Sequence, residues 1–250
     1  MSQEATLTGL QGISPEHRGL LIPYAYARSY RTLDQSDPAQ PQFQSQAFDP
    51  RVGTDAKLVL RKSFSLDMTA NPDFSQVESD QPQITVNRRF EAYFPEKRPF
   101  FLENPSYFET PMNLLFTRNI ADPQFGARLT GKAGRYAIGV LSADDRSPGE
   151  SVPPDDPLAG KRAYFSVLRV NRDIFRQSTI GMIFTDREFA GTYNRVGGLD
   201  TRFKVRKNWW VTGQAVTSST TLPDGTRSAG AGLQGAGALR RTEVLFQCRL

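Results

Sequence analysis

The chain has 250 residues, of which 38% are hydrophobic and 23% charged, with a mean hydropathy of −0.48. No window approaches the roughly 18 consecutive apolar residues of a membrane-spanning helix, which excludes that class but leaves β-barrels, whose strands alternate in polarity. The net charge of +5 comes without a Lys/Arg run or a glycine-rich phosphate loop, so we expect no nucleic-acid partner. The single cysteine, Cys248, and the single histidine, His17, argue against an internal disulfide, a zinc site and a Ser-His-Asp triad.

Residues 1–34 are predicted to lead into the fold and to form its first strand. The N-terminus MSQEATLTGLQGIS has neither a basic n-region nor an apolar h-region. That predicts either a cytoplasmic protein or a fragment that lacks its secretion signal. Residues 32–50, rich in Gln, Pro and Asp, are predicted to form a mobile loop.

Alternation of apolar and polar residues starts in SFSLDMTAN (63–71), where Phe64, Leu66, Met68 and Ala70 are separated by polar residues. This pattern predicts a strand with one apolar and one polar face. The later segments predicted as strands are RYAIGVLSADD (135–145), AYFSVLRVNRD (163–173), STIGMIFTDRE (178–188), GGLDTRFKV (197–205) and NWWVTGQAVTSS (208–219). No long segment carries a 3.6-residue stripe, so the chain is predicted to be all-β, either a closed sheet or a sandwich.

An irregular insert is predicted between the first strands and the rest, at residues 71–113. Its most unusual part is YFPEKRPFFLEN (93–104), which is too charged for a core strand and too apolar for a solvated loop. A segment of this length without periodicity is either functional or disordered, and its many aromatic residues argue against disorder. We therefore expect it to be ordered and packed against the sheet.

Several of these stretches together resemble the DUF5916 family. They are MTANPDFSQVESD (68–80), FEAYFPEKRPFFLEN (90–104), LLFTRNI (114–120), GARLTGKAGRYAIGVLSA (126–143), FSVLRVNRDI (165–174) and NRVGGLDTRF (194–203). The resemblance covers roughly residues 50–205 and implies an outer-membrane β-barrel domain of Gram-negative bacteria, commonly placed C-terminal to a family-9-like carbohydrate-binding module. It also implies that LLFTRNI is a strand carrying Arg118.

The resemblance sets the expected organisation of the chain. Residues 1–34 would lead into the barrel, and residues 35–250 would form an incomplete, antiparallel up-and-down β-barrel domain containing the insert 71–113. The family's binding module and signal peptide are not found in the sequence, and VLFQCRL at the end reads as an interrupted strand. For the intact parent protein we expect an outer-membrane location, with membrane lipid and carbohydrate as partners, and an oligomeric state that the sequence leaves open.

Charged residues of the insert are candidates for a network in the barrel interior. The candidates are Asp73, Glu78, Glu96, Lys97, Arg98, Glu103 and Arg118. Their expected partners on the strands include Asp67, Asp200 and Arg202, because barrel interiors are polar. The alternative is a structural turn whose charges neutralise one another.

Two kinds of chemistry are weighed for the same insert. The candidate catalytic pairs are Glu96 with Glu103 or, alternatively, Asp73 with Glu78, since two carboxyls about 5–9 Å apart serve glycoside hydrolysis. Lys97 and Arg98 oppose this role, because cations favour the ionised form of Glu96. Asp73, Glu78 and Asp80 are oxygen ligands that would suit Ca²⁺, although the glycine of an EF-hand loop is missing. The alternative is a strand-ending turn and no cofactor.

Arginines and aromatic residues at strand ends complete the pattern. Alternation directs Arg169 and Arg172 away from the apolar face. Tyr136, Tyr164, Trp209 and Trp210 are candidates for interfacial aromatic girdles or for ordinary core positions.

Three functions follow as hypotheses. The first is a non-enzymatic outer-membrane barrel module that binds or handles carbohydrate or another surface polymer. The second is a membrane-associated, glycosidase-like hydrolase with acidic residues in the insert. The third is a soluble β-sandwich binding domain, in which the apolar face of residues 63–70 packs against a protein core.

Overall fold

The computed structural model describes residues 19–29, 31–34, 42–45, 48–61, 63–72, 96–175, 177–206, 209–239 and 248–249. The alternating segments form long strands in this part of the chain. The strands are β1 (Gly19–Arg28), β2 (Arg31–Asp34), β3 (Gln42–Ser45), β4 (Asp49–Leu60), β5 (Phe64–Ala70), β6 (Phe125–Ala133), β7 (Tyr136–Asp145), β8 (Ala163–Ile174), β9 (Ser178–Phe189), β10 (Thr192–Arg206), β11 (Trp209–Thr221), β12 (Arg227–Leu239) and β13 (Cys248–Arg249).

Eleven of these strands form one sheet, and each strand pairs antiparallel with the next. The order is β1, then β4 through β13, so the chain runs as a meander with the β2–β3 hairpin inserted after β1. Within the described residues β1 and β13 are the two edges of the sheet, which is therefore open. The all-β antiparallel meander predicted from the sequence is confirmed, and the sheet is consistent with part of a barrel.

One face of the sheet is apolar and has no protein layer over it in the described part of the chain; we call it the open face. Its residues align across strands because paired residues of neighbouring strands point to the same side. One continuous row across β4 to β12 consists of Leu60, Phe64, Gly131, Ile138, Val170, Met182, Leu199, Ala215 and Leu233. Met182 is 43% exposed and Leu199 is 63% exposed.

The opposite face is polar at many positions and is covered by residues 96–124, which we call the covering segment. Arg128, Arg169 and Asp200 are buried on this covered face. The main hydrophobic cluster lies between the covering segment and the sheet. From the segment it contains Phe100, Phe101, Phe108 and Ile120, and from the sheet Leu141, Ala143, Val167 and Ile183.

The two faces bear on the sandwich hypothesis. The apolar side chains of β5 lie on the open face, and they are less buried than Asp67 and Thr69 on the covered face of the same strand. A sandwich requires the reverse, with the apolar side packed under a second sheet. Among the described residues no second sheet packs there.

Two predictions about local structure are wrong. Residues 32–50 are not a continuous loop, because they include β2, β3 and the start of β4. Strands pair through backbone hydrogen bonds, which do not require apolar and polar residues to alternate. The alternation pattern therefore does not predict the strands in residues 32–50.

The second wrong prediction is the strand at LLFTRNI. Residues 117–119 form a 3₁₀ helix, and Arg118 lies in it. The reason is that carbonyls of Thr117 and Ile120 bind the Arg98 side chain, so they do not join a sheet ladder. The irregular segment consequently extends beyond residue 113, to the start of β6 at Phe125.

Helices are short in this fold. They are α1 (Pro99–Leu102), α2 (Ser147–Glu150) and the 3₁₀ helices Pro105–Tyr107 and Thr117–Asn119. No helix in the described ranges has the length and apolar composition needed to cross a membrane.

Candidate functional site

The covering segment follows an irregular course that its prolines and one asparagine direct. Pro99 and Pro105 each begin a single helical turn, as proline does well at a helix start. Between them Asn104 adopts a left-handed conformation with φ of 46°, which reverses the chain after α1. The segment is thereby laid flat across the covered face.

Arg98 is the residue that ties the start of the covering segment to the region near its end. Arg98 is 4% exposed, and its Nη2 lies 2.8 Å from Glu96 Oε2. The same guanidinium donates to the carbonyl of Thr117 at 2.7 Å and to the carbonyl of Ile120. Its Cζ also lies 4.3 Å from the centre of the Phe101 ring. Arg98 therefore links the start of the segment to its 3₁₀ helix near the end.

The pKa of Glu96 follows from these contacts. Burial by itself raises it, but the hydrogen bonds and charge of Arg98, together with the Thr117 hydroxyl, lower the pKa from 4.5 to about 2. The Thr117 hydroxyl donates to Glu96 Oε2 at 2.5 Å. Glu96 is thus ionised at neutral pH, so it lacks the proton that a general acid must donate.

Glu103 anchors the covering segment to β4. Its Oε2 accepts a hydrogen bond of 2.8 Å from Lys57 Nζ, which also lies 3.8 Å from Asp67 Oδ1. Arg128 Nη2 lies 3.6 Å from the other oxygen of Asp67, and its guanidinium is 5.3 Å from the centre of the Phe100 ring. The covering segment and the covered face of the sheet therefore share one network of opposite charges.

Asp144 and Asp145 hold the far end of the covering segment. Both are buried at the end of β7, with 0% and 1% exposure. Asp145 accepts from the backbone N–H groups of Ala121 and Asp122 at 3.1 and 2.8 Å, and Asp144 from those of Gln124 and Phe125 at 2.8 and 2.7 Å. Asp144 is also ion-paired with Arg162. Two carboxylates thus accept hydrogen bonds from four backbone N–H groups at the far end of the covering segment and the start of β6.

Glycines on the covered face admit the aromatic rings of the segment. A Cβ atom at Gly126 would lie 2.8 Å from Phe100, and one at Gly139 would lie 3.0 Å from Phe108. Further along, the backbone N–H of Met112 donates to Gln214 Oε1 of β11 at 2.6 Å. The contacts extend from β4 to β11, so the segment is a fixed part of the covered face.

The structure places some of the candidate charged residues together and separates others. Glu96, Arg98 and Glu103 have the partners described above, while Lys97 is exposed. Asp67 faces Lys57 and Arg128. The other two expected partners bind strand residues instead: Asp200 accepts a bidentate pair from Arg169, and the Arg202 guanidinium lies 4.5 Å from the Trp210 ring.

The remaining candidates concern metal binding and catalysis. Asp73, Glu78 and Asp80 lie outside the described residues. Within the described ranges no group of three or more His, Cys, Asp or Glu side chains could hold a metal ion. Glu96 and Glu103 each bind a cation, Arg98 and Lys57 respectively.

Sequence reasoning missed the residues of the sheet that hold the segment. Lys57 and Arg128 look like ordinary polar positions of alternating strands, and only the fold brings them beside Glu103. The adjacent acids Asp144 and Asp145 were a signal in the sequence for these contacts. Successive residues of a strand point to opposite faces, so one of two adjacent acids must lie on the apolar face.

The lowered pKa of Glu96 predicts an acid-sensitive contribution to stability. Because the folded-state pKa of about 2 lies below the ordinary 4.5, this stabilisation is complete above pH 4.5 and is lost as the pH falls toward 2. We expect the wild-type chain to exceed Glu96→Gln in free energy of unfolding at neutral pH, with the difference shrinking across the acid range. Urea titrations of both proteins measure this, and a difference independent of pH would contradict it.

Comparison with known proteins identifies the first half of the chain. A family model described as a domain of unknown function, DUF5916, matches residues 15–132. The matched range includes β1 to β5, the covering segment and all of β6 except its last residue. It starts before the resemblance seen in the sequence, which covers roughly residues 50–205, and it also ends before it. Comparisons with curated proteins and with solved structures gave no match. Over residues 15–132 the chain is therefore similar to the DUF5916 family, which supports the resemblance seen in the sequence.

Proposed function

We propose that the chain is part of an outer-membrane β-barrel, with the open face toward lipid and the covering segment filling the interior. In this proposal the protein is not an enzyme and acts as a surface module that binds or handles carbohydrate or another polymer. The observation that carries the membrane part is the continuous apolar row of the open face, from Leu60 on β4 to Leu233 on β12.

The physical argument is the inverted distribution of polarity. Soluble proteins rarely leave an apolar patch of such breadth in water. Transmembrane barrels have apolar residues outside and polar residues inside, alternating along each strand. Here Met182 and Leu199 are exposed while Arg128 and Arg169, on the other face, are buried. Contact with lipid would remove the free-energy cost of exposing Met182 and Leu199 to water. On the other face the Arg128 guanidinium lies 5.3 Å from the centre of the Phe100 ring of the covering segment, and Arg169 is paired with Asp200 of the sheet.

The polymer part of the proposal has a separate basis. It derives from the carbohydrate-binding module that commonly precedes domains of this family. The connection at residues 146–162 is long and lies at the end of the strands opposite most of the short turns. Long connections at one end of a rigid sheet are the usual place for ligand contacts.

The hydrolase hypothesis is less well supported. A glycosidase of the usual kind needs one protonated and one ionised carboxyl. The pKa of Glu96 is lowered to about 2 by Arg98, and the Glu103 carboxyl is held in an ion pair of 2.8 Å with Lys57. Both carboxyls then serve as structural partners of cations.

Localisation and heat-modifiable mobility test the membrane proposal. The chain is expressed behind a secretion signal in a Gram-negative host, and its outer-membrane fraction is compared on a detergent gel with and without boiling. We expect a band in that fraction that migrates differently before heating, because folded barrels resist detergent. A soluble periplasmic product with one mobility would overturn the proposal.

A substitution in the apolar row gives a sharper test. We expect Met182→Arg to destabilise the membrane-inserted state by about 2–4 kcal/mol, as arginine does on the lipid face of barrels. Ser166→Arg is the matched control, because Ser166 is exposed on the open face but lies opposite Asp186 in the register. Urea unfolding from vesicles measures both. Equal stabilities of the two variants would contradict a lipid-facing row.

A further inference from the structure

Four short turns lie together at one end of the sheet. In an antiparallel meander successive turns alternate between the two ends, so the turns β4–β5, β6–β7, β8–β9 and β10–β11 share one end. Each of these connections is at most three residues long. The covering segment and the connection at residues 146–162 leave from the opposite end.

This end is strongly basic. The described residues of the short turns and their flanks (60–61, 63–64, 132–136, 172–175, 177–178, 204–206 and 209–210) include the cations Arg61, Lys132, Arg135, Arg172, Lys204 and Arg206 and a single acid, Asp173. In contrast, the connections at the other end contain more acidic than basic residues. We call the exposed cations Arg61, Arg135, Arg172 and Arg206 the basic rim.

Two cations of the basic rim stand beside aromatic residues at the border of the open face. Arg172 pairs with Tyr136 in the register, and its Cζ lies 5.4 Å from the centre of the Tyr136 ring. Arg206 pairs with Trp209, which is 45% exposed. Arg172 is the next residue on the open face after Val170 of the apolar row, so the prediction that it points away from the apolar face is wrong. The apolar surface thus ends directly at a line of aromatic rings and guanidinium groups.

That order of groups matches the cross-section of a lipid leaflet. Apolar side chains fit the acyl region, aromatic rings fit the interface, and arginine binds phosphate through several donors at once. We propose that the basic rim binds the phosphate groups of an anionic glycerophospholipid and so fixes which end of the sheet faces that leaflet. An acidic protein would satisfy the charge but would not explain why the cations border the open face. This inference rests on the membrane function proposed above.

The two tryptophans allow a direct test, because the chain contains only Trp209 and Trp210 and both lie beside the basic rim. The full chain is reconstituted into vesicles of phosphatidylcholine and phosphatidylglycerol at a fixed ratio. Either the choline or the glycerol lipid carries bromine near the head of its acyl chains, where it quenches nearby tryptophan fluorescence. We expect the brominated glycerol lipid to quench at least about twice as strongly per mole as the brominated choline lipid.

Substitutions at the basic rim separate this inference from the membrane proposal. We expect Arg172→Gln/Arg206→Gln to abolish the preference for the anionic lipid, whereas Arg227→Gln, an exposed site at the other end of the sheet, leaves it intact. Equal quenching by both lipids would overturn the lipid-binding role of the basic rim and leave the membrane proposal standing. A preference that the double substitution leaves unchanged would also overturn it. No quenching by either lipid would overturn both.

Discussion

Replacing Arg98 with methionine is expected to destabilise the chain by about 3–5 kcal/mol, the usual cost of removing one partner from a buried ion pair. Methionine keeps much of the side-chain volume but donates nothing. Glu96 then loses its charged partner, and the carbonyls of Thr117 and Ile120 lose a donor in a buried place. The free energy of unfolding from urea titration measures the effect.

A local measurement shows whether the covering segment itself is released. Cleavage by trypsin after Arg118 should accelerate in Arg98→Met, because the 3₁₀ helix at residues 117–119 is attached through Arg98. The control is Lys97→Met, which changes the exposed neighbouring charge and should cost less than about 1 kcal/mol. Similar losses in the two variants would contradict the role assigned to Arg98.

Asp145→Ala is expected to cost at least about 3 kcal/mol, since hydrogen bonds to a buried charged group are each worth about 1.5–3 kcal/mol. The carboxylate of Asp145 accepts from the N–H groups of Ala121, Asp122 and Ser147 at 3.1, 2.8 and 3.0 Å. Alanine leaves these donors buried without an acceptor. Thermal or urea unfolding of the variant, followed by tryptophan fluorescence, gives the loss.

The control for Asp145 is a carboxylate with an exposed partner. Glu188 lies 2.6 Å from Arg195 at the surface, so Glu188→Ala should change stability by less than about 1 kcal/mol. Asp145→Asn adds a finer comparison, because it retains one acceptor oxygen and should fall between the wild type and Asp145→Ala. A stability of Asp145→Ala equal to that of Glu188→Ala would mean that the end of the covering segment is held by other contacts.

Arg98 and the pair Asp144 and Asp145 show how the covering segment is held in place. Arg98 closes the segment on itself, whereas Asp144 and Asp145 attach it to β7. Between them, Glu103 and the rings of Phe100 and Phe108 bind to the sheet. In the proposed barrel such a segment fills the interior with fixed contacts, so a ligand would meet the ends of the sheet rather than an open channel.

The sequence by itself determined six of the strands and their two faces. Period-two alternation marks β5, β7, β8, β9, β10 and β11, because each needs one apolar and one polar side regardless of its partners. It also indicated that the stretch around Glu96 and Arg98 would be ordered, since its aromatic residues require burial. The resemblance to DUF5916 came from the same residues and is confirmed over residues 15–132.

Only the tertiary structure decided which groups meet. Lys57 reaches Glu103 across 46 positions of the chain, and Arg98 takes carbonyls about 20 residues away that a local pattern would assign to a strand. Such contacts depend on where the covering segment crosses the sheet, and that course is set by the fit of its rings beside Gly126 and Gly139. Side-chain periodicity records which face a residue occupies, whereas the partner on that face is fixed by strand register and by the path of the segment laid over it.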